Sequence, residues 1–324
     1  MITTSVIIPT VNRPKPLEDM LKSLLEQSVL PDEFIIVDQS ISNESKQTVH
    51  ALFSKLNGLS RRNIILKYIH DPTITGASQA RNRGIGATEN DIIFFFDDDV
   101  ILEKDYIEEA LRVYKQYPEV VGVGGVITNY SFLNKPRIRL FNNIFFKGLF
   151  NDERKEIFSN FIKYTKPVIA SKLSGGCSSY KKSILLKEDF DEIFDKMFDR
   201  YSFGEDIDLS MRISKNHKLM ITPYAKMKHI INESAEKRKH NNLVIYFEVA
   251  SWTYIFNAHM DRKIFNFICY LWAYLGLFFR TLKGLLFLNF LPLKSLVLGT
   301  KKGLYFSKNK DKNFSFSSHT NIVK

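Results

Sequence analysis

Residues 92–99 read Ile92-Ile93-Phe94-Phe95-Phe96-Asp97-Asp98-Asp99. An unbroken run of Ile and Phe suits a strand buried on both faces of a parallel sheet, where helices cover it above and below. Three carboxylates follow it directly. They repel one another unless something neutralises them, and a divalent cation held by oxygen ligands is the simplest answer. Alternate side chains of an extended chain share a side, so Asp97 and Asp99 can face one site while Asp98 points elsewhere. A solvated acidic turn is the plainer alternative.

Similar runs lie on either side. Val6–Ile8, Phe34–Val37, Ile64–Ile69 and Val120–Ile127 read as further strands. The second runs into Asp38 as the run at 92–96 runs into Asp97. In open α/β sheets ligands bind beyond the carboxyl ends of the strands, so both acidic sites converge on one edge. Between the first two strands, Leu17, Met20, Leu21, Leu24 and Leu25 recur at helical spacing behind Pro14 and Pro16. Further helices are expected at about Ser78–Thr88, at Tyr106–Tyr114, from Glu205 and at Leu243–Met260. This alternation implies an α/β sandwich with right-handed crossovers. The stretch from Phe132 to Lys166 is irregular and reads as loop and short helices over the sheet.

The chain has 324 residues and a formal net charge of +11. From Met211 onward, 19 Lys and Arg stand against 5 Asp and Glu, so the basic surplus belongs to the C-terminal third. Ile264–Phe279 is apolar apart from Asn266. It is followed by Arg280, Lys283 and a second apolar stretch, Gly284–Leu293. The first stretch falls short of the roughly 20 residues that cross a bilayer. Apolar runs among cations fit a helix lying on a membrane surface, with a buried helical pair or an oligomer contact as the alternatives. The end, from Ser307, is polar and basic and reads as disordered. The expected organisation is a domain over 1–241, a basic aromatic helical region over 242–306 and a tail over 307–324.

Only Cys177 and Cys269 occur, without metal-site or disulfide spacing. The apolar run at Ser5–Ile8 is too short for a signal peptide and stops at Pro9, so the expected compartment is the cytoplasm. No GxxxxGK[ST] loop is present. Gly122-Val123-Gly124 and Gly84-Ile85-Gly86 both lack the third glycine of a dinucleotide-binding turn. Nucleic acid is not an expected partner, because the basic residues flank lipid-like runs.

Six motifs in order give the chain a resemblance. They are Val6-Ile7-Ile8-Pro9-Thr10, Ile36-Val37-Asp38-Gln39-Ser40, Gly76-Ala77-Ser78-Gln79-Ala80-Arg81-Asn82, Phe96-Asp97-Asp98-Asp99, Gly175-Gly176 and Phe203-Gly204-Glu205-Asp206-Ile207-Asp208-Leu209. Together they resemble a family 2 glycosyltransferase of the GT-A fold, of the bacterial surface-polysaccharide type. The resemblance implies that Pro9, Thr10, Arg13 and Asp38 hold the base and ribose of a nucleotide-sugar donor, with Arg81 close by. Many relatives carry a second acid where this chain has Gln39. By the same likeness the metal motif maps onto Asp97 and Asp99, with Asp97 nearer the ribose and Asp99 ligating a Mn²⁺ or Mg²⁺ ion, while Asp98 is grouped with the donor-binding residues without an assigned role. His229 stands where several relatives place a metal-binding histidine. Gly175 and Gly176 let the backbone approach the donor sugar.

Displacement at an anomeric carbon needs one carboxylate to take the acceptor hydroxyl's proton. The resemblance gives that role to Asp206, with Glu205 orienting acceptor or donor. A single base without a nucleophilic carboxylate implies inversion. Acids in a helix's first turn are also favoured by the helix dipole alone. The expected acceptor is a glycan or a lipid-linked saccharide, and the expected location the inner face of the cell membrane. A metal-dependent nucleotidyl or phosphoryl transferase, or a binding module on the same fold, are the rival readings.

Overall fold

The computed structural model of the chain describes residues 2–57, 64–130, 136–199, 202–230, 241–261, 263–285 and 289–309. The contacts divide the chain into two compact units. The first comprises Met1–Ser131, Glu153–Glu192 and Glu205–Ile230; the second comprises Phe132–Asp152, Ile193–Gly204 and Ile231–Lys324.

The first unit is a three-layer α/β fold around one sheet. Its strands are β1 (Thr4–Thr10), β2 (Glu33–Asp38), β3 (Ile65–His70), β4 (Ile92–Phe96), β5 (Val100–Leu102), β6 (Val120–Ile127), β7 (Val168–Ala170), β8 (Cys177–Lys181) and β9 (Lys218–His229). Among the described residues they run in the order β3-β2-β1-β4-β8-β6-β9-β5, with β7 on β9. Strands β3, β2, β1 and β4 are mutually parallel. Every residue of β1, β2 and β4 is buried, as strands covered on both faces require.

Helices α1 (Pro14–Leu25), α2 (Glu44–Asn57), α3 (Ala77–Ala87) and α4 (Tyr106–Gln116) link the strands. Helix α1 begins at Pro14, where a missing N–H costs nothing, and buries Leu17, Met20, Leu21 and Leu24. The rings of β4 set the core: Phe95 meets Phe190 edge-on at 5.2 Å, and Phe96 meets Tyr106 in the same way.

The α/β sandwich is as expected, and its sheet is mixed: the parallel strands are joined by antiparallel ones that the apolar runs did not announce. Strand β8 runs antiparallel to both β4 and β6, and β9 is antiparallel to β5 and β7 but parallel to β6. These strands lack an uninterrupted apolar run. In β8, Ser178 and Ser179 are buried, and Ser179 is satisfied by Tyr114 and by the Val123 carbonyl.

The second unit is helical. Asn241–His259, Ile264–Leu285 and Leu291–Lys308 are its long helices, with the shorter Pro136–Phe145 and Ile193–Met197. Leu291–Lys308 lies against Asn241–His259 through Gly299 and Gly303. A Cβ on Gly299 would meet the Tyr246 carbonyl, and one on Gly303 the Ala250 carbonyl. Small residues four apart let two backbones approach closely.

Two expectations change here. Ile264–Leu285 is one helix of 22 residues that continues past Phe279, because Arg280 finds Glu248 at 3.0 Å. It is the one described helix long and apolar enough to cross a membrane, by length and composition. The last helix reaches Lys308, so residues 307–308 are ordered; 310–324 lie outside the described residues. In the irregular stretch, Pro136–Phe145, Gly148–Phe150 and Arg154–Asn160 are short helices. The first two belong to the helical unit and the third to the sheet unit.

Candidate active site

Strand register builds the site. Because β1 pairs in parallel with β2 and β4, Thr10, Asp38 and Phe96 finish at the same edge of the sheet. The antiparallel β8 enters opposite, with Cys177 across from Phe96. One step further, Gly176 faces Asp97, and a Cβ there would collide with the Asp97 carboxylate. On the other side β5 sets Val100 against His229, and the Ile230 N–H donates to the Asp99 carbonyl at 2.7 Å. Asn129 brackets the His229 backbone, accepting from its N–H at 3.1 Å and donating to its carbonyl at 2.8 Å. Acids, glycines and histidine therefore meet because four strand ends meet.

Two arginines partly neutralise the acids, a task the sequence reading gave to a cation alone. Arg13 donates to Asp98 at 2.6 Å and to Asp99 at 2.7 Å. Arg81, at 3% exposure, donates to Asp97 at 2.9 Å and to Glu205 at 2.8 Å. Asp98 is buried, and the Thr10 hydroxyl also donates to it at 2.7 Å. Burial pushes its carboxyl up to about 7, against the pull of Arg13 and Thr10.

Asp97 and Asp99, each also held by an arginine, converge with His229. Their ligand atoms lie within 4.8 Å of one another. His229 Nε2 is 3.4 Å from Asp99 Oδ1, and the buried Nδ1 has no hydrogen-bond partner among the described residues. Two carboxylates and an imidazole with spare donor capacity are a set that could hold a divalent cation.

The helix Glu205–Ser214 supplies the second acidic pair. Gly204 turns the chain into it at φ +95°, a left-handed conformation that favours glycine. Burial, with Asp206 alongside, pushes the Glu205 carboxyl up to about 7, although Arg81 draws it down. Asp206 is held at both oxygens. Oδ2 accepts from the Gly175 N–H at 2.9 Å and from Arg154 at 3.1 Å, and Oδ1 accepts from its neighbour Ile207 N–H at 2.7 Å. Arg81 thus joins the strand-end acids to the helix-start acids within one unit.

Not every expected donor residue faces open space. Asp38 is fully buried, its carboxylate taken by the Tyr68 hydroxyl and the Ser40 N–H. Pro9 is buried within β1 opposite Val37, and Arg81 is enclosed. Arg13, with 34% of its side chain exposed, is the accessible guanidinium of the three. Gly175 packs against Arg81 and Asp206. Sequence reasoning missed Arg154, Asn129 and Tyr68. Arg154 sits where no periodicity singles it out, while its guanidinium also meets the Leu173 carbonyl at 3.0 Å.

The sequence profile of glycosyl transferase family 2 matches residues 5–187. An uncharacterized glycosyltransferase of Haemophilus influenzae is 28% identical over 116 residues, 36% of this chain and 36% of its own length. The poly(ribitol-phosphate) beta-N-acetylglucosaminyltransferase TarP of Staphylococcus aureus is 28% identical over 189 residues, 58% of this chain and 51% of its own. The chain spans about a third to a half of the length of the curated relatives it matches. Among solved structures, the mannosyltransferase PcManGT from Pyrobaculum calidifontis, in complex with GDP-Man and Mn²⁺, superposes with a TM-score of 0.57. The match covers 95% of this chain and 88% of that one at 14% identity, a likeness of fold.

Proposed function

Because the chain belongs to glycosyl transferase family 2, whose profile covers more than half of it, we propose that it moves a sugar from a nucleotide-diphosphate donor to a hydroxyl acceptor with inversion at the anomeric carbon. The observation that carries this reading is the chain of ion pairs Asp97–Arg81–Glu205, with Asp206 fixed beside it on the Gly175 N–H. It ties the cluster of Asp97, Asp99 and His229 to a carboxylate that no buried cation claims on both oxygens.

Asp97, Asp99 and His229 would hold a Mn²⁺ or Mg²⁺ ion, which when bound would supply Lewis-acid stabilisation of charge on a diphosphate. Arg13 has exposure enough to meet that diphosphate. Thr10 and Asp98 keep Arg13 aimed, and Asp38 supports the nucleotide from beneath, through Tyr68 and Ser40.

On the acceptor side, Asp206 Oδ1 carries one backbone donor where Oδ2 carries two partners, so Oδ1 takes the acceptor hydroxyl's proton. The acceptor oxygen bonds to the anomeric carbon as the bond to the diphosphate oxygen breaks, and the nucleoside diphosphate leaves with the electron pair. Arg154 holds the carboxylate in orientation, and Glu205 fixes Arg81.

The acceptor is a glycan or a lipid-linked saccharide. The basic, apolar C-terminal region, residues 242–306, docks the enzyme at the inner face of the cell membrane. A panel of nucleotide sugars with Mn²⁺ tests the chemistry. Release of intact nucleoside diphosphate, dependent on acceptor and lost in Asp206→Asn, supports the reading. Release of pyrophosphate identifies a nucleotidyl transferase and overturns it.

A further inference from the structure

In the helical unit, Ile264–Leu285 divides its surface in two. Cys269, Ala273, Leu277 and Thr281, each four residues after the last, are buried. The other side exposes Phe265 (65%), Ile268, Leu271 and Trp272. Pro136–Phe145 lies along the same helix. The Trp272 indole N–H donates to the Ile144 carbonyl at 2.8 Å. Phe145 stacks on Trp272 at 5.7 Å and covers Gly276. This short helix buries none of its residues and exposes Leu140 (62%) and Ile144.

Two segments distant in sequence therefore present one apolar face, far more than the scattered exposed residues of an ordinary surface. The charges around it are mostly cationic, with Asp261, exposed and 3.9 Å from Lys263, as an exception. Residues 132–151 and 262–310 contain Lys and Arg but neither Asp nor Glu, and Arg137, Arg139, Lys147 and Lys263 are exposed.

We propose that Pro136–Phe145 and Ile264–Leu285 form a single composite face that lies in the plane of an anionic lipid bilayer surface. The proposal deepens the membrane reading given above and rests on it. The charge pattern selects the occupant, since cations around an apolar face are attracted to anionic headgroups, each adding roughly fivefold to binding. The same pattern opposes spanning. A helix crossing the bilayer would carry the attached Arg137 and Arg139 toward the hydrocarbon, where charge is expensive. In the plane, rings enter the headgroup boundary while the cations stay wet.

Flotation of the full chain with vesicles tests this, using phosphatidylcholine alone or with phosphatidylglycerol added. Binding is expected to the anionic vesicles, to weaken in high salt and to wash off at alkaline pH. Leu140→Glu and, separately, Phe265→Glu are each expected to lower it by about tenfold or more, and Leu140→Met to keep it. Thermal unfolding of each variant verifies the fold. Undiminished binding of Leu140→Glu overturns the composite face while leaving the C-terminal docking intact. Resistance to alkaline extraction overturns the in-plane placement. Dimerisation abolished by both Glu variants, without vesicle binding, makes a second copy the occupant and overturns the lipid. Nucleoside diphosphate release, measured separately in detergent, reports on the glycosyl-transfer reading and is expected to be unchanged in all three variants.

Discussion

The sheet edge and the face of Ile264–Leu285 each place residues against their usual preference, and they resolve the conflict differently. At the sheet edge Asp98 and Glu205 are buried, and each has an arginine within 2.8 Å. At the helical face large apolar side chains stand in solvent, in segments free of carboxylates. The first arrangement is closed by internal pairing, as buried charge demands. The second is open and requires something outside the unit. On the proposed reading, the internally paired acids serve the chemistry and the uncovered apolar face serves docking.

The largest effects belong to the sheet edge. Asp206→Asn keeps the shape but loses the base, so turnover should fall about 10²–10⁴-fold with thermal stability near the parent's; rate assays and thermal scans read the two. Asp99→Asn should lose roughly 10²–10³-fold in turnover and weaken Mn²⁺ binding in titration calorimetry, while vesicle flotation is unchanged. A flotation defect in either variant would blur the division between the two regions.

Next in size is Arg81→Met, which strands Asp97 and Glu205 without their shared cation. It should cost about 3–5 kcal/mol in urea unfolding without metal. Gly204→Ala forces a Cβ onto φ +95° and against Ser251, and should cost about 1–3 kcal/mol in the same measurement.

The smallest effect is a pH dependence. Glu205 is pushed up to about 7 from an ordinary 4.5, so the folded state binds its proton more tightly than the unfolded chain. That contribution to stability is complete below pH 4.5 and disappears as pH rises through 7. Thermal scans of the metal-free protein should therefore decline less steeply over this window in Glu205→Gln.

Much of the sheet was legible because fully buried parallel strands write themselves as apolar runs: Ile92–Phe96 and Val120–Ile127 match their strands end to end. The converging acids were legible too, since a strand's end is visible where the run stops. Strands β8 and β9 were not. Buried serines satisfied by tertiary partners give β8 no period, and β9 has interrupted alternation along its 12 residues. The arginines were the least readable part of the site. Arg81 looks like any helix-surface cation until the fold brings Asp97 and Glu205 to its two ends, and Arg154 depends on a contact 52 residues away. In the helical unit, Arg280 hid the continuity of a helix, since its partner Glu248 lies on another.

The most direct test is the stereochemistry of the first product. With an α-linked nucleotide sugar, Mn²⁺ and acceptor, proton NMR of the anomeric signal after one turnover should report a β-linkage and one nucleoside diphosphate per sugar transferred. An α-linked product would mean retention of configuration, and a single inverting displacement with Asp206 as base could not account for it.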